Sequence, residues 1–400
     1  MNRILLVVYL LAVTSLAITH AADPSLTTTT DHFPKPNSWF PIAGELTMVD
    51  HVNRMGILRP DRSDRHNKYH WDLPHHFTML PYGTVYRLGS PASLADIPIG
   101  THLHGRFYLG PEGEYKVPLR ETEYAQAVAN DPNEYSPDSQ YSQVLRLEDD
   151  FTLYQRQGVK WKVVSIDQDA GELIAERVDP TDATSKPEGL TGRQTFDISD
   201  ATRVWQGRGY GELTDVAPGR NILFNLTWAT LFGPGRMTDI WIDDESQTIA
   251  SDRQHKQFVQ HLKEYGFPAR VDHVDHGESG SGEVSVSFYQ GPAPEDFALF
   301  KPSTTGQSLV VDPNLRSYRQ QNTNKPARFF EVGSIDNPPP GHSGVTARFR
   351  THELLEGLRP GRTIRLLPAG WPVIPTPRER DMSPFDIRPK FLEAQPQLDK

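Results

Sequence analysis

The chain has 400 residues, no cysteine, 34 prolines, 30 glycines and a formal net charge of −10. Without cysteine it holds no disulfide, thiolate nucleophile, zinc knuckle or cysteine-bound iron–sulfur cluster. Its charge disfavours general attraction to nucleic acid or anionic lipid, although residues 301–380 carry a local excess of Lys and Arg. The length allows two or three domains, and the Pro and Gly content points to short strands joined by many turns.

Residues 1–21 read as a secretory signal: Arg3 supplies the positive charge, Ile4 to Ile18 the apolar run, and Thr19-His20-Ala21 a cleavage site. The run falls short of the roughly 20 residues needed to span a bilayer, and no later segment is long and apolar enough. The expectation is an exported protein, periplasmic or extracellular, with no membrane span after cleavage. Residues 22–40, rich in Thr, Pro and Asp, read as an extended leader.

Three units follow, at residues 41–126, 144–235 and 269–372. Opening strands are predicted at Gly44–Val49, Trp161–Ile166 and Ala269–Val274. Strands ending near an aromatic are predicted around Phe77–Tyr86 and Thr195–Trp205, with a related stretch at Ser308–Tyr318. Each unit then carries one echo, Leu94 to Leu103, Leu213 to Ile222 and Leu355 to Ile364. The pattern is Leu, two residues, an aliphatic residue, and a Pro-containing turn ending at Gly100, Gly219 or Gly361. Pro fixes φ and Gly accepts the positive φ that other residues resist, so the pattern predicts a turn entering a strand. Alternation then places Leu103, Ile222 and Ile364 on a core face and His102, Asn221 and Thr363 on an accessible polar face. Between the second and third units, residues 236–268 form an insert in which Phe258, Val259, Leu262 and Tyr265 give a helical stripe over Ser246–Gly266. A short helix is expected at Glu121–Asn130, and residues 373–400 read as a Pro- and charge-rich tail.

The fold class is therefore mainly β: two or three repeated small β-barrel units with an intervening α-helix, closed so that no sheet edge is exposed. The repeated Leu-x-x-aliphatic-x-Pro-Gly turn resembles that of OB-like small-barrel domains found repeatedly in exported bacterial proteins of unknown function. The first copy departs from it by placing Ile99 between Pro98 and Gly100. The resemblance implies a fold and no function.

Histidines give the leading candidate site. His66, His70, His75 and His76 lie close in sequence, and His102-Leu103-His104 directs two imidazoles to one strand face, a pattern that chelates zinc or copper. The expected ligands are His75, His76, His102 and His104. His273 and His276 and the acidic triplets Glu148-Asp149-Asp150 and Asp243-Asp244-Glu245 read as polar or solvated turns, and Gly207–Gly211 as a flexible barrel loop of the kind that makes binding contacts. Trp205, Trp228, Trp241 and Trp371 are candidates for core filling or for stacking on a ligand. Asn225-Leu226-Thr227 fits a glycosylation acceptor but falls in a predicted strand. No nucleophile elbow, zincin helix or phosphate loop is present. Three functions remain in play: a non-catalytic exported binding or assembly protein with a cell-envelope, protein or carbohydrate partner; a metal-binding protein using the histidines; and a hydrolase with an unidentified site.

Overall fold

A computed structural model describes residues 33–35, 38–61, 75–110, 141–180, 188–227, 235–310 and 324–374. The signal, most of the leader and of the tail, His66, His70, Trp228 and Glu121–Asn130 lie outside the described residues.

The first barrel uses β1 (Phe40–Asp50), β2 (Met55–Pro60), β3 (His75–Arg87), β4 (Ser90–Ala92), β5 (His102–Tyr108) and β6 (Gln143–Asp149). Its ring runs β1-β2-β3-β6-β5 and back to β1, with β4 as an appendage on β3. The β3–β6 pairing is parallel and the others are antiparallel. The second barrel repeats this with β7 (Lys160–Asp167), β8 (Glu172–Val178), β9 (Arg193–Asp197), β12 (Asn221–Thr227) and β13 (Arg236–Trp241). Here β13 pairs in parallel with β9 to close the ring and with β10 (Arg203–Gln206) beyond it, and β10 forms a short hairpin with β11 (Gly209–Gly211) outside the ring. Both five-strand orders are compatible with an OB-like barrel.

The third barrel is β14 (Phe267–His276), β15 (Gly282–Tyr289), β16 (Thr305–Val310), β17 (Asn324–Ser334), β18 (His342–Thr351) and β19 (Thr363–Leu367). It closes as β14-β15-β18-β17-β16-β19, entirely antiparallel. Strand β18 stands beside β15 as β3 stands beside β2, and the hairpin β16–β17 fills the gap that β6 and β13 fill in the others. Ser308–Val310, the described part of the stretch Ser308–Tyr318, therefore does not occupy the ring position of Phe77–Tyr86 or Thr195–Trp205; the rest of that stretch lies outside the described residues.

The echoed turn is the same object three times. Gly100, Gly219 and Gly361 have φ of 92°, 87° and 85°. Their N–H groups donate to the carbonyls of Leu46, Val163 and Val271 at 2.7–2.8 Å. Those three residues donate back to Thr101, Arg220 and Arg362, and a bulge in the opening strand follows each of them. Ile97, Val216 and Leu358 plug the barrel ends, and Leu103, Ile222 and Ile364 are fully buried. Aromatic rings fill the second and third cores: Trp161, Phe196 and Phe224 in one, Phe267, Phe288, Phe300, Phe329 and Phe349 in the other.

Two helices join the barrels. Strand β6 runs directly into α1 (Asp150–Gln157), and β13 leads through Ile242 and Asp243 into α2 (Asp244–Tyr265). The parallel return strands shift the boundaries from those expected: residues 144–149 belong to the strand that completes the first barrel rather than opening the second unit, and residues 236–241 complete the second barrel rather than belonging to the helical insert. Phe258 and Leu262 of α2 enter the third core. The same helix also grips the first barrel: Ser90 Oγ donates to the Ser251 carbonyl at 3.2 Å, and His261 Nδ1 lies 3.3 Å from Asp96. Arg365 of β19 donates to His261 Nε2 at 2.9 Å, so one imidazole ties barrel one, α2 and barrel three together.

Barrels one and three also touch directly. A bulge in β3 puts Tyr82 at φ 60° and sends its ring against Tyr289 and His342, with centroids 5.3 and 4.8 Å away. A Cβ on Gly341 would stand 2.0 Å from the Tyr82 carbonyl oxygen, so glycine is required for this approach. Among the described residues no helix is long and apolar enough to cross a membrane.

Candidate functional site

The first joint is built from the outward faces of β5 and β12 with the start of α1 between them. Leu103, Gly105 and Phe107 point into barrel one, so His102 and His104 must point out of it. In β12, Ile222, Phe224 and Leu226 point into barrel two, and Asn225 points out. Asp149 caps α1 by accepting from Thr152 N at 2.9 Å. It also accepts from Leu88 N at 3.1 Å and from Asn225 Nδ2 at 2.9 Å. Asn225 Oδ1 accepts in turn from Phe151 N at 2.9 Å. Both amide atoms of the potential acceptor Asn225 are therefore engaged and buried.

Asp150, the first helical residue, is wholly buried. Its Oδ2 accepts from Leu226 N at 2.9 Å. Its Oδ1 faces His102 Nδ1 and His104 Nε2, each at 2.8 Å. The other His102 nitrogen, Nε2, lies 2.8 Å from Asp61 Oδ2 at the end of β2. The two imidazoles stand edge to face, 4.8 Å apart and 87° between planes. His102 is 3% exposed in its side chain, His104 11% and Asp61 34%. The cluster thus runs from a dry interior to the wall of a cleft of about 270 Å³ lined by Asp61, His104, Arg106, Glu148 and Glu188.

The charges in this joint are strongly coupled. Burial works against a charged His102, but the Asp150 and Asp61 carboxylates outweigh it and hold the imidazole well above its ordinary value. Burial would raise Asp150, yet the two imidazoles hold it below the usual carboxylate range. Burial first, and then the Asp150 charge, pushes the Tyr154 phenol upward. At the cleft, burial opposes ionisation of Glu148, and Arg156 and Arg146 reverse the effect and lower it.

Among the described residues, His102, His104 and Asp150 form the one group of three His or carboxylate ligands whose donor atoms all lie within 4.8 Å of one another. Two histidines and one carboxylate are a donor set for zinc or copper. A carboxylate on the second nitrogen of His102 is the outer-sphere partner that orients a ligating imidazole and sharpens its basicity.

Several expectations are corrected here. The His102 face is a buried joint rather than an accessible surface, because α1 and barrel two cover it. Glu148-Asp149-Asp150 is buried rather than a solvated turn, because histidines, arginines and backbone N–H groups reach its carboxylates. His102 and His104 come together, whereas His75 and His76 are not part of the group. His75 is buried against Phe107, with ring centroids 5.1 Å apart, and its Nε2 lies 3.0 Å from the Tyr141 carbonyl. His76 is the next residue in the strand and points to the opposite face, where burial lowers its basicity. Asp150 has a sequence signal, an acidic pair directly before Phe151, Leu153 and Tyr154, which marks a helix start; Asp61 has none.

The remaining candidates are dispersed. His273 pairs with Asp275 at 2.9 Å on an exposed strand end, and His276 is exposed. Trp241 is buried in the second core, and Trp371 packs on Phe267 at 5.7 Å. Gly207–Gly211 forms the turn and second strand of the β10–β11 hairpin, where the Trp205 and Tyr210 rings lie tilted against each other. Comparisons with protein-family models, with curated proteins and with solved structures find no match to this chain.

Proposed function

We propose that the chain is an exported, non-catalytic binding or assembly protein whose first two barrels are joined around one divalent transition-metal ion, zinc or copper. The ligands are His102 Nδ1, His104 Nε2 and Asp150 Oδ1, with Asp61 holding His102 from behind. The observation that carries this reading is the convergence of three donors from two segments on one buried point. The outward-turned atoms of the same side chains are already committed: Asp150 Oδ2 to Leu226 N–H, and His102 Nε2 to Asp61. Binding a metal needs the His102 Nδ1 and His104 Nε2 lone pairs, and the cleft beside His104 and Asp61 gives an entry path and room for a water ligand. Export rests on Arg3 and the apolar run that follows it.

Calorimetric titration of metal-free full chain with zinc and with copper(II) tests the reading. One site per chain is expected for at least one metal, abolished by His102→Ala with His104→Ala and retained in His75→Ala with His76→Ala. Absence of binding, or binding that survives loss of His102 and His104, overturns it.

A further inference from the structure

The β10–β11 hairpin carries an aromatic platform with no evident structural use for its outer face. Trp205 and Tyr210 are directly opposed across the two strands, with ring centroids 4.4 Å apart and planes 33° apart. The indole is fixed in place: its Nε1 donates to Asp239 Oδ1 at 2.8 Å, and Arg203 closes on the same carboxylate at 2.9 and 2.8 Å. The hairpin turn is tied to α2 through Gly207 N, which donates to Asp243 at 2.9 Å. On this rigid base Tyr210 is 71% exposed, the highest value for a large hydrophobic side chain among the described residues.

A groove of about 660 Å³ begins at the same hairpin. Arg208, from the hairpin turn, lines it, as does Arg253, whose guanidinium lies 6.0 Å from the Trp205 ring. Its charged lining is balanced: Arg208, Arg253 and Lys256 against Asp244, Glu245 and Asp252. An exposed flat ring held in advance of binding suits the C–H face of a sugar, since little ordering cost remains. Interleaved carboxylates and guanidinium groups accept from and donate to vicinal hydroxyls. The balance of the groove and the net charge of −10 disfavour a polyanion.

We infer that Tyr210, backed by Trp205, and the adjoining α2 groove form a binding site for a neutral polysaccharide. This site is separate from the metal joint and does not depend on it. Tyr210 supplies the stacking surface, Arg208 and Arg253 the donors, and Glu245 and Asp252 the acceptors.

Affinity gel electrophoresis of the full chain through hydroxyethyl cellulose, xylan, laminarin and glycol chitin tests the inference, with double-stranded DNA as the polyanion control. At least one glycan should retard the protein. Tyr210→Ala should weaken that retention at least tenfold, and Tyr210→Phe should stay within threefold of the parent. The Trp205 emission should change with the same midpoint, and addition of a chelator should leave the retention unaltered, which separates this site from the metal joint. Retardation by none of the four glycans, retardation by DNA alone, or retention that Tyr210→Ala leaves intact overturns the inference.

Discussion

Asp149-Asp150 and Asp243-Asp244 hold the same place in successive barrels. Each pair lies at or just beyond the end of the return strand of its barrel, with its first residue as the cap and its second as the first residue of the helix that leads to the next one. Asp149 and Asp243 behave alike: both cap their helices, and both accept a backbone N–H from a hairpin turn, Leu88 in one and Gly207 in the other. Their neighbours do not. Asp150 is buried on two imidazoles and a backbone N–H, whereas the Asp244 side chain is 84% exposed and pairs only with Lys160. The cause lies one strand away. Counted from the turn glycine, His102 and His104 of β5 correspond to Asn221 and Leu223 of β12. The shared frame makes a place for a carboxylate, and the strand that faces it decides whether that carboxylate becomes a site.

The largest expected effect breaks this pairing. Asp150→Ala leaves two imidazoles and the Leu226 N–H buried without their partner and should cost about 3–5 kcal/mol in denaturant unfolding. A cost near that of an exposed pair would mean that the joint holds together without the cluster.

A second experiment sharpens the comparison at the contact between barrels one and three, where a histidine is buried without a carboxylate. Gly344 N donates to His342 Nδ1 at 2.7 Å, so the proton sits on Nε2, which is buried without a hydrogen-bond partner. Burial lowers this imidazole from 6.5 to about 4. Its folded value lies below the unfolded one, so the unfolded chain binds the proton first. The neutral ring's contribution is present in full above pH 6.5 and is lost progressively down to about pH 4. The loss amounts to at most about 3.5 kcal/mol, less where solvent screens the charged ring. His342→Phe should remove that part of the acid sensitivity between pH 4 and 6.5 in a stability titration; an unchanged slope counts against a buried neutral imidazole.

The turn equivalence comes next. Gly100→Ala, Gly219→Ala and Gly361→Ala each force a Cβ into a positive-φ position and should each cost about 1–2 kcal/mol. A large spread among the three midpoints would show that the echo in sequence is not one turn repeated. The smallest effect is expected at the exposed half of the comparison, where Asp244→Ala should change stability by about 0.2–1 kcal/mol.

The repeated turn was legible because it obeys local rules. A positive-φ glycine, a Pro-set φ and an aliphatic plug are fixed by the residues themselves, and the opening strands and α2 carry clear periodicity. The return strands were not assignable to their barrels, since Gln143–Asp149 alternates as any strand does. Its parallel partner β3 lies across a long stretch of chain that no local pattern encodes. The closure of barrel three by β16–β17 is hidden for the same reason. At the site, the alternation of His102 and His104 was readable. The burial of Asp150 was not, because a carboxylate beside two others reads as solvated until its partners, 48 and 46 residues away, are placed against it. His75 and His76 show the reverse error: adjacency in sequence sends the two rings to opposite faces of β3.

The central claim is that the His102–His104–Asp150 joint holds a metal ion. The decisive measurement is elemental analysis of the full chain, purified without an affinity tag, incubated with zinc and copper and dialysed. About one equivalent of one metal per chain, absent after His104→Leu places the barrel-two residue in barrel one, would support it. Metal-free wild-type protein, or the same metal content in His104→Leu, would reduce the cluster to a charge network that locks the two barrels together.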